Sequence, residues 1–291
     1  MSSVALAPAL GAEPAAAAPR ANFDAPTAPS MWKERWPTFS ALEGIFSVSA
    51  ALGTLILFGV GPVDEPRWTG GILFDDAVRD GLRADHPERR QAMRTVGDVT
   101  YYAAPAIPFA VDVFVVALAI RRDPKLAGNM ASVNAESFAY SALLSFVTTQ
   151  ISARERPDST ACLEANGGDE RKCELESRTE SFISGHTMIS ATSAGVVCAN
   201  HAYMPLWGHP AADVGACALA AAAAATTGAS RIVADRHYAT DAMLAGALGF
   251  GVGYMVPTLL HFRAGASDAG AIVVMPGVSG GHAGLSLGGT F

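Results

Sequence analysis

The residues of this chain whose types and spacing could do chemistry are Arg156, Ser184, Gly185, His186, Arg231, His237 and Asp241. An arginine guanidinium is a planar fork that donates two parallel hydrogen bonds to two oxygens of one anion, which a lysine point charge cannot do. Two such residues, Arg156 and Arg231, imply a multiply charged oxyanion. His237 and Asp241 are four positions apart, so on a helix they share a face and the carboxylate can accept from one ring nitrogen. That would fix the tautomer and leave the other nitrogen free to attack. Ser184 and Gly185 stand just before an apolar segment, where the first backbone N–H groups of a helix lack intrahelical partners and favour an anion. His186, at the same helix start, could deliver a proton to a leaving oxygen. Each residue also has a plainer reading: an interfacial arginine anchor, a satisfied loop histidine, an aspartate helix cap, a simple turn. The joint pattern carries the chemical reading.

The elements that must position these residues are apolar. Half of the 291 residues are hydrophobic and only 16% are charged, against roughly 25% charged in a typical soluble domain. A formal charge of -7 excludes a nucleic-acid binder, whose footprint would be basic. Six stretches approach the roughly 20 residues needed to cross a hydrocarbon core as a helix. They run over 38–60, 100–120, 133–153, 187–207, 211–228 and 239–262. The expected fold is therefore an all-α, six-transmembrane helix bundle. The fifth stretch is mostly alanine and is expected inside the bundle. The sixth carries Ala245, Gly249 and Gly253 at four-residue spacing, which lets membrane helices approach closely.

Lys33, Arg35, the run Arg121 to Lys125 and Arg263 fall on one side if both termini are cytoplasmic, as the distribution of basic residues favours. The connections after the first, third and fifth segments then lie outside. All three polar clusters, 152–158, 181–188 and 229–241, meet there as one interfacial site. The sequence thus predicts an integral protein of a bacterial inner membrane with its site on the periplasmic side. Between the first two segments, Phe74 to Arg83 reads as an amphipathic helix lying at the interface. Residues 1–37 read as a disordered, Ala/Pro-rich leader, with a cleaved signal peptide as the alternative. Residues 38–263 form the membrane domain, and 264–291 a flexible, Gly-rich tail. Cys162 and Cys173, in an outer loop, are expected to pair in an oxidising compartment. Cys198 and Cys217 lie in apolar segments, where a free cysteine behaves as a small hydrophobe.

The motifs resemble those of the type 2 phosphatidic acid phosphatase superfamily, which also includes vanadium haloperoxidases. Ser230, Arg231, five residues, His237, three residues and Asp241 match its third motif. Ile183, Ser184, Gly185 and His186 stand for its second, with Ile183 in place of proline. Thr149, six residues, Arg156 and Pro157 stand for its first, with Thr149 in place of the lysine that contacts phosphate. The resemblance implies a lipid phosphatase working through a phosphohistidine on His237. Asp241 would orient that ring, and His186 would act as acid and then base. Arg156, Arg231, Ser184 and Gly185 would hold the phosphoryl oxygens. It implies a phosphorylated lipid partner, the bilayer, and neither cofactor nor metal, since no cluster of Asp, Glu and His ligands is legible in the sequence. A lipid phosphotransferase and a non-catalytic membrane protein with a degenerate site are the alternatives.

Overall fold

The computed structural model describes residues 29–264, except 174 and 176, and two strands further on. Helix α1, Ala41–Val60, starts at a capping box in which Ser40 Oγ accepts from Glu43 N and the Glu43 carboxylate accepts from Ser40 N. Two reciprocal bonds thereby satisfy N–H groups that the helix cannot. Helix α2, Asp75–Leu82, carries two acids in its first turn. Helix α3, Pro87–Ala103, continues through a π-helical stretch, Ile107–Ile120, with proline opening each part. Helix α4, Pro124–Ser152, is capped by Asp123 and stops at Ala153, which takes a left-handed φ of 38°. The short α5, Pro157–Ala165, precedes α6, Gly185–Tyr203, whose N-cap is Ser184. Helices α7, Pro210–Val233, and α8, Ala239–Pro257, complete the bundle, α8 running on through a π-helical Thr258–Phe262.

The centre of the bundle is α6, not the alanine-rich α7. Of residues 187–201 every one except Ile189 is buried, whereas Val214 and Leu219 on α7 are exposed. Helix α7 turns its small residues Ala216, Ala220 and Ala224 to α6 and its bulkier ones outward. Alanine content marks a close-packing face, and α7 has only one. Against the other side of α6 lies α8, near enough that a Cβ on Gly249 or Gly253 would collide with the carbonyl oxygens of Met188 or Thr192. Hydroxyls lock the same interior: Thr192 Oγ1 donates to Ser141 at 2.7 Å and Thr227 Oγ1 to Ser190 at 3.1 Å. Small residues and interhelical hydroxyl bonds are how helices associate where lipid offers no hydrophobic drive. The outer surface carries exposed Leu, Ile, Phe and Val, densest on α1, where Ala50 alone is buried. Such a surface suits lipid rather than water, and the chain is an integral membrane protein.

Among the described residues, four helical runs are long and apolar enough to cross a bilayer: Ala41–Val60, Pro87–Ile120, Pro210–Val233 and Ala239–Phe262. The expected third and fourth segments, α4 and α6, fall outside that set because they are more polar. Enclosed by protein, α6 has no need of an apolar exterior. The expected second segment is longer than the sequence indicated, since α3 begins at Pro87. Its polar first turns are helical because they pack on α7 rather than on lipid.

Three further expectations change. The end of the expected leader is folded: Trp32 and Trp36 are buried against Phe262, with ring centroids 5.8 and 4.9 Å away, because two indoles bury too much apolar area to remain outside. Residues 1–28, and the signal-peptide alternative, lie outside the described residues. The expected tail contains an antiparallel ribbon, β1 Ile272–Ser279 with β2 His282–Gly289. Only Gly280 and Gly281 separate its strands in sequence, the spacing of a tight hairpin. Cys198 and Cys217, expected as free hydrophobes, are bonded to each other, because α6 and α7 bring their Cα atoms to 4.5 Å. Cys162 and Cys173 are bonded as well.

Candidate active site

Where α4 ends, the left-handed turn at Ala153 sends the chain alongside Trp68, whose carbonyl accepts from Glu155 N at 2.8 Å. Arg154 turns inward and is fully buried between the rings of Trp68 and Tyr238, 4.1 and 4.0 Å from their centroids. Its guanidinium bonds the Gly70 carbonyl, Asp75 Oδ2 at 2.8 Å, Thr240 Oγ1 at 3.1 Å and Asp241 Oδ1. A buried charge needs such complete pairing. Arg154 is therefore committed to the scaffold and does not replace the cation absent at Thr149. The same network docks α2 on protein: Asp75 also accepts from Thr240 N, and Arg79 pairs with Asp235 at 2.6 Å.

Arg156, two residues on, lines a cleft of about 580 Å³ with Thr149, Glu180, Gly185, His186 and His237. Its Nη2 reaches Glu180 Oε2 at 3.4 Å, while its Nε is buried without a partner among the described residues. Arg231, in the last turn of α7, repeats the pattern: Nη1 donates to Asp98 Oδ1 at 3.0 Å and Nε is buried and unpartnered. Asp98 also meets His186 Nε2 at 3.0 Å, and the His186 ring packs on Tyr101 with centroids 4.5 Å apart. Ser184 is fully buried, and its Oγ accepts from Thr187 N at 3.4 Å. The cap therefore closes the first turn of α6, with Gly185 on the cleft wall.

His237 is 3% exposed. Its Nδ1 lies 2.7 Å from the Ser181 carbonyl oxygen, which can only accept, so Nδ1 carries the proton and Nε2 keeps its lone pair. Burial, then the positive charges of Arg156 and Arg231, hold this imidazole well below the ordinary histidine pKa. The ring is thus neutral near pH 7, the form a nucleophile needs. Asp241 was expected to orient the ring directly. It stands 4.0 Å from Nδ1, because Arg154, the Tyr238 N–H and Ser181 Oγ take its oxygens. Asp241 acts on the ring through Ser181, holding the residue whose carbonyl holds the ring.

The fold gathers Arg156, Gly185, His186 and His237 on one cleft, with Arg231 tied in through Asp98 and Asp241 one layer behind. Sequence reasoning missed Asp98, Glu180, Ser181 and the role of Arg154. Asp98 lay between the loop read over 63–97 and the apolar segment from Thr100, and Glu180 in a charged loop without period. Ser181 contributes a backbone carbonyl, which no side-chain pattern reveals.

Residues 134–264 match the family model described as PAP2 superfamily. No curated protein matches the chain. Among solved structures it is similar to the crystal structure of the first transmembrane PAP2 type phosphatidylglycerolphosphate phosphatase from Bacillus subtilis. The two are 18% identical, the match covers 76% of this chain and 98% of that one, and the TM-score is 0.48.

Proposed function

We propose that this chain is a metal-independent membrane phosphatase of the PAP2 superfamily, whose family model residues 134–264 match, cleaving a lipid phosphate monoester or diphosphate at the outer leaflet. The observation that carries the reading is His237, neutral and with Nε2 unprotonated, sharing a cleft with Arg156 and His186. The Nε2 lone pair attacks phosphorus, the bond from phosphorus to the lipid oxygen breaks, and His186, protonated by the proton that a monoanionic phosphate brings into the cleft, gives that oxygen its proton. Neutral His186 then takes a proton from water, whose oxygen attacks the phosphohistidine and returns the electron pair to Nε2. Arg156 and Arg231 turn their unpartnered Nε donors to the oxygens where charge develops, a role for fixed donors. Asp98 holds His186 and Arg231 at a common spacing. Glu180 must yield Arg156 to the incoming phosphate.

The same cleft is lined by Leu57, Phe58, Phe146 and Ile189, apolar groups suited to an acyl or prenyl chain. In this reading α4 and α6 also cross the bilayer, giving six crossings, and the distribution of basic residues supports a cleft that faces the periplasm. A phosphotransferase would differ only in the acceptor of the second step, so an assay with and without an acceptor alcohol separates the two.

The test is phosphate release by detergent-solubilised protein from phosphatidic acid, phosphatidylglycerophosphate, a polyprenyl diphosphate and lipid A. At least one should turn over, and His237→Ala should lower that rate by about a thousandfold or more. Vanadate, which accepts five ligands as phosphorus does in an in-line displacement, should compete with the substrate. Equal rates for the variant and the parent chain would end the reading.

A further inference from the structure

Away from the cleft, near the middle of α4, Glu43 of α1, Glu136 of α4 and His261 of the last π-helical turn bring one ligand atom each to within 4.8 Å of one another. Glu136 lies about 20 Å along the α4 axis from Thr149, at 1.5 Å rise per residue. Glu136 and His261 are fully buried, yet Glu136 Oε2 and His261 Nε2 have no hydrogen-bond partner among the described residues. Buried polar atoms rarely stay unpaired, and each such pair needs an explanation. The three groups come from positions far apart in sequence, which is why no ligand spacing announced them.

We propose that these residues form a site for a divalent transition metal of the zinc class, separate from the phosphate cleft and structural in role. His261 Nδ1 lies 3.1 Å from the Pro37 carbonyl. The proton therefore sits on Nδ1 and the lone pair on Nε2, the arrangement metal-ligating histidines take. Tyr140 Oη donates to Glu136 Oε1 at 2.8 Å and leaves the unpartnered Oε2 for the ion. Nε2 lies 3.6 Å from Glu136 Oε2 and 3.8 Å from Glu43 Oε1. These gaps are too long for hydrogen bonds and within a few tenths of an ångström of the roughly 3.4 Å between donors around tetrahedral zinc. An imidazolium shared between the carboxylates would instead close one gap to about 2.8 Å. Two carboxylates and a neutral imidazole balance a 2+ ion, so the occupied site buries no net charge, and water completes four ligands. An imidazole among three donors disfavours magnesium and calcium, which take oxygen shells. The ion would fasten α1, otherwise held by little buried surface, to α4 and to the end of the last helix.

Protein purified in detergent without chelator is equilibrated with zinc, desalted and analysed for bound metal. In parallel, cobalt(II) is added and visible absorption recorded. The expected results are about one zinc per chain and tetrahedral cobalt bands, with Glu43→Gln and His261→Gln each weakening zinc at least tenfold and removing the bands. Glu43 is partly exposed and outside the catalytic groups, so Glu43→Gln should keep its phosphatase rate and verify the fold. Folded parent protein that retains a small fraction of one zinc, or cobalt bands unchanged in Glu43→Gln, would overturn the site; a shared proton would then be what occupies the gap.

Discussion

Two sites in the bundle are built from opposite charges. The cleft end presents Arg156, His186 and His237 to the cleft, with Glu180 beside Arg156 and with Arg231 joined to His186 through Asp98. The site away from the cleft encloses Glu43, Glu136 and His261 with no arginine or lysine among the ligand atoms. In both, buried polar atoms lack partners among the described residues: guanidinium donors at the cleft end, carboxylate and imidazole acceptors at the other site. Unfilled donors describe an anion and unfilled acceptors a cation, so one scaffold is complementary to opposite ligands about 20 Å apart along α4.

The largest expected effect probes what separates a committed charge from an available one. Arg154 is fully paired in the protein, whereas Arg156 keeps Nε open. Arg154→Met leaves Asp75 and Asp241 buried without their cation, which should cost about 3–5 kcal/mol of stability, seen as a large fall in Tm. An unchanged Tm would mean that Arg154 is not the anchor its contacts describe. A second test uses pH. The unfolded His237 ring titrates near 6.5, and its folded value lies well below, so the unfolded chain binds the extra proton first. The stability contribution of the neutral ring is complete above about 6.5 and is lost as pH falls from there towards the folded value. The acid limb of kcat/KM, which reports the free enzyme, should accordingly lie below pH 6.5. A limb centred at or above 6.5 would show that the positive cleft does not govern the ring.

Adding charge to the cleft end should matter less. Thr149→Lys puts a cation on the cleft wall and should lower KM by about two- to fivefold, the span of a partly screened charge contact; a rise in KM would assign Thr149 a fitting role instead. Smallest of all should be the effect of a chelator on the rate. Excess EDTA should change turnover less than twofold at a temperature far below Tm, because the cleft's positive charge is its own, while lowering Tm by emptying the other site. A rate abolished by EDTA and restored by magnesium would erase the distinction between the two sites.

What could be read from the sequence follows the range of the interactions. The group Ser184, Gly185 and His186 and the group Arg231, His237 and Asp241 are each set by one helix terminus, and their spacing revealed them. Asp98 was hidden because Pro87 to Asp98 has the composition of a loop and becomes helix only by packing on α7. The Glu43, Glu136 and His261 cluster had no local trace, since three elements supply one residue each. Helix α6 misled in a different way: hydropathy measures fitness for lipid, and a helix sheathed in protein is not held to that standard. Asp241 was expected to accept from the histidine ring directly, but Ser181 Oγ and the Tyr238 N–H take the oxygen nearest the ring while Arg154 holds the other.

Arg154 also bears on the order in which the protein can be made. A chain inserted from its N-terminus delivers Asp75 and Arg154 early, while Thr240 and Asp241 arrive only with the first turn of α8. Until then Ser181 lacks the carboxylate that steadies it, and His237 has no fixed tautomer. Biosynthesis and competence are thereby coupled: a ribosome-bound or truncated product has Arg156 but no aligned His237, and the proposed turnover would wait for the last helix to seat.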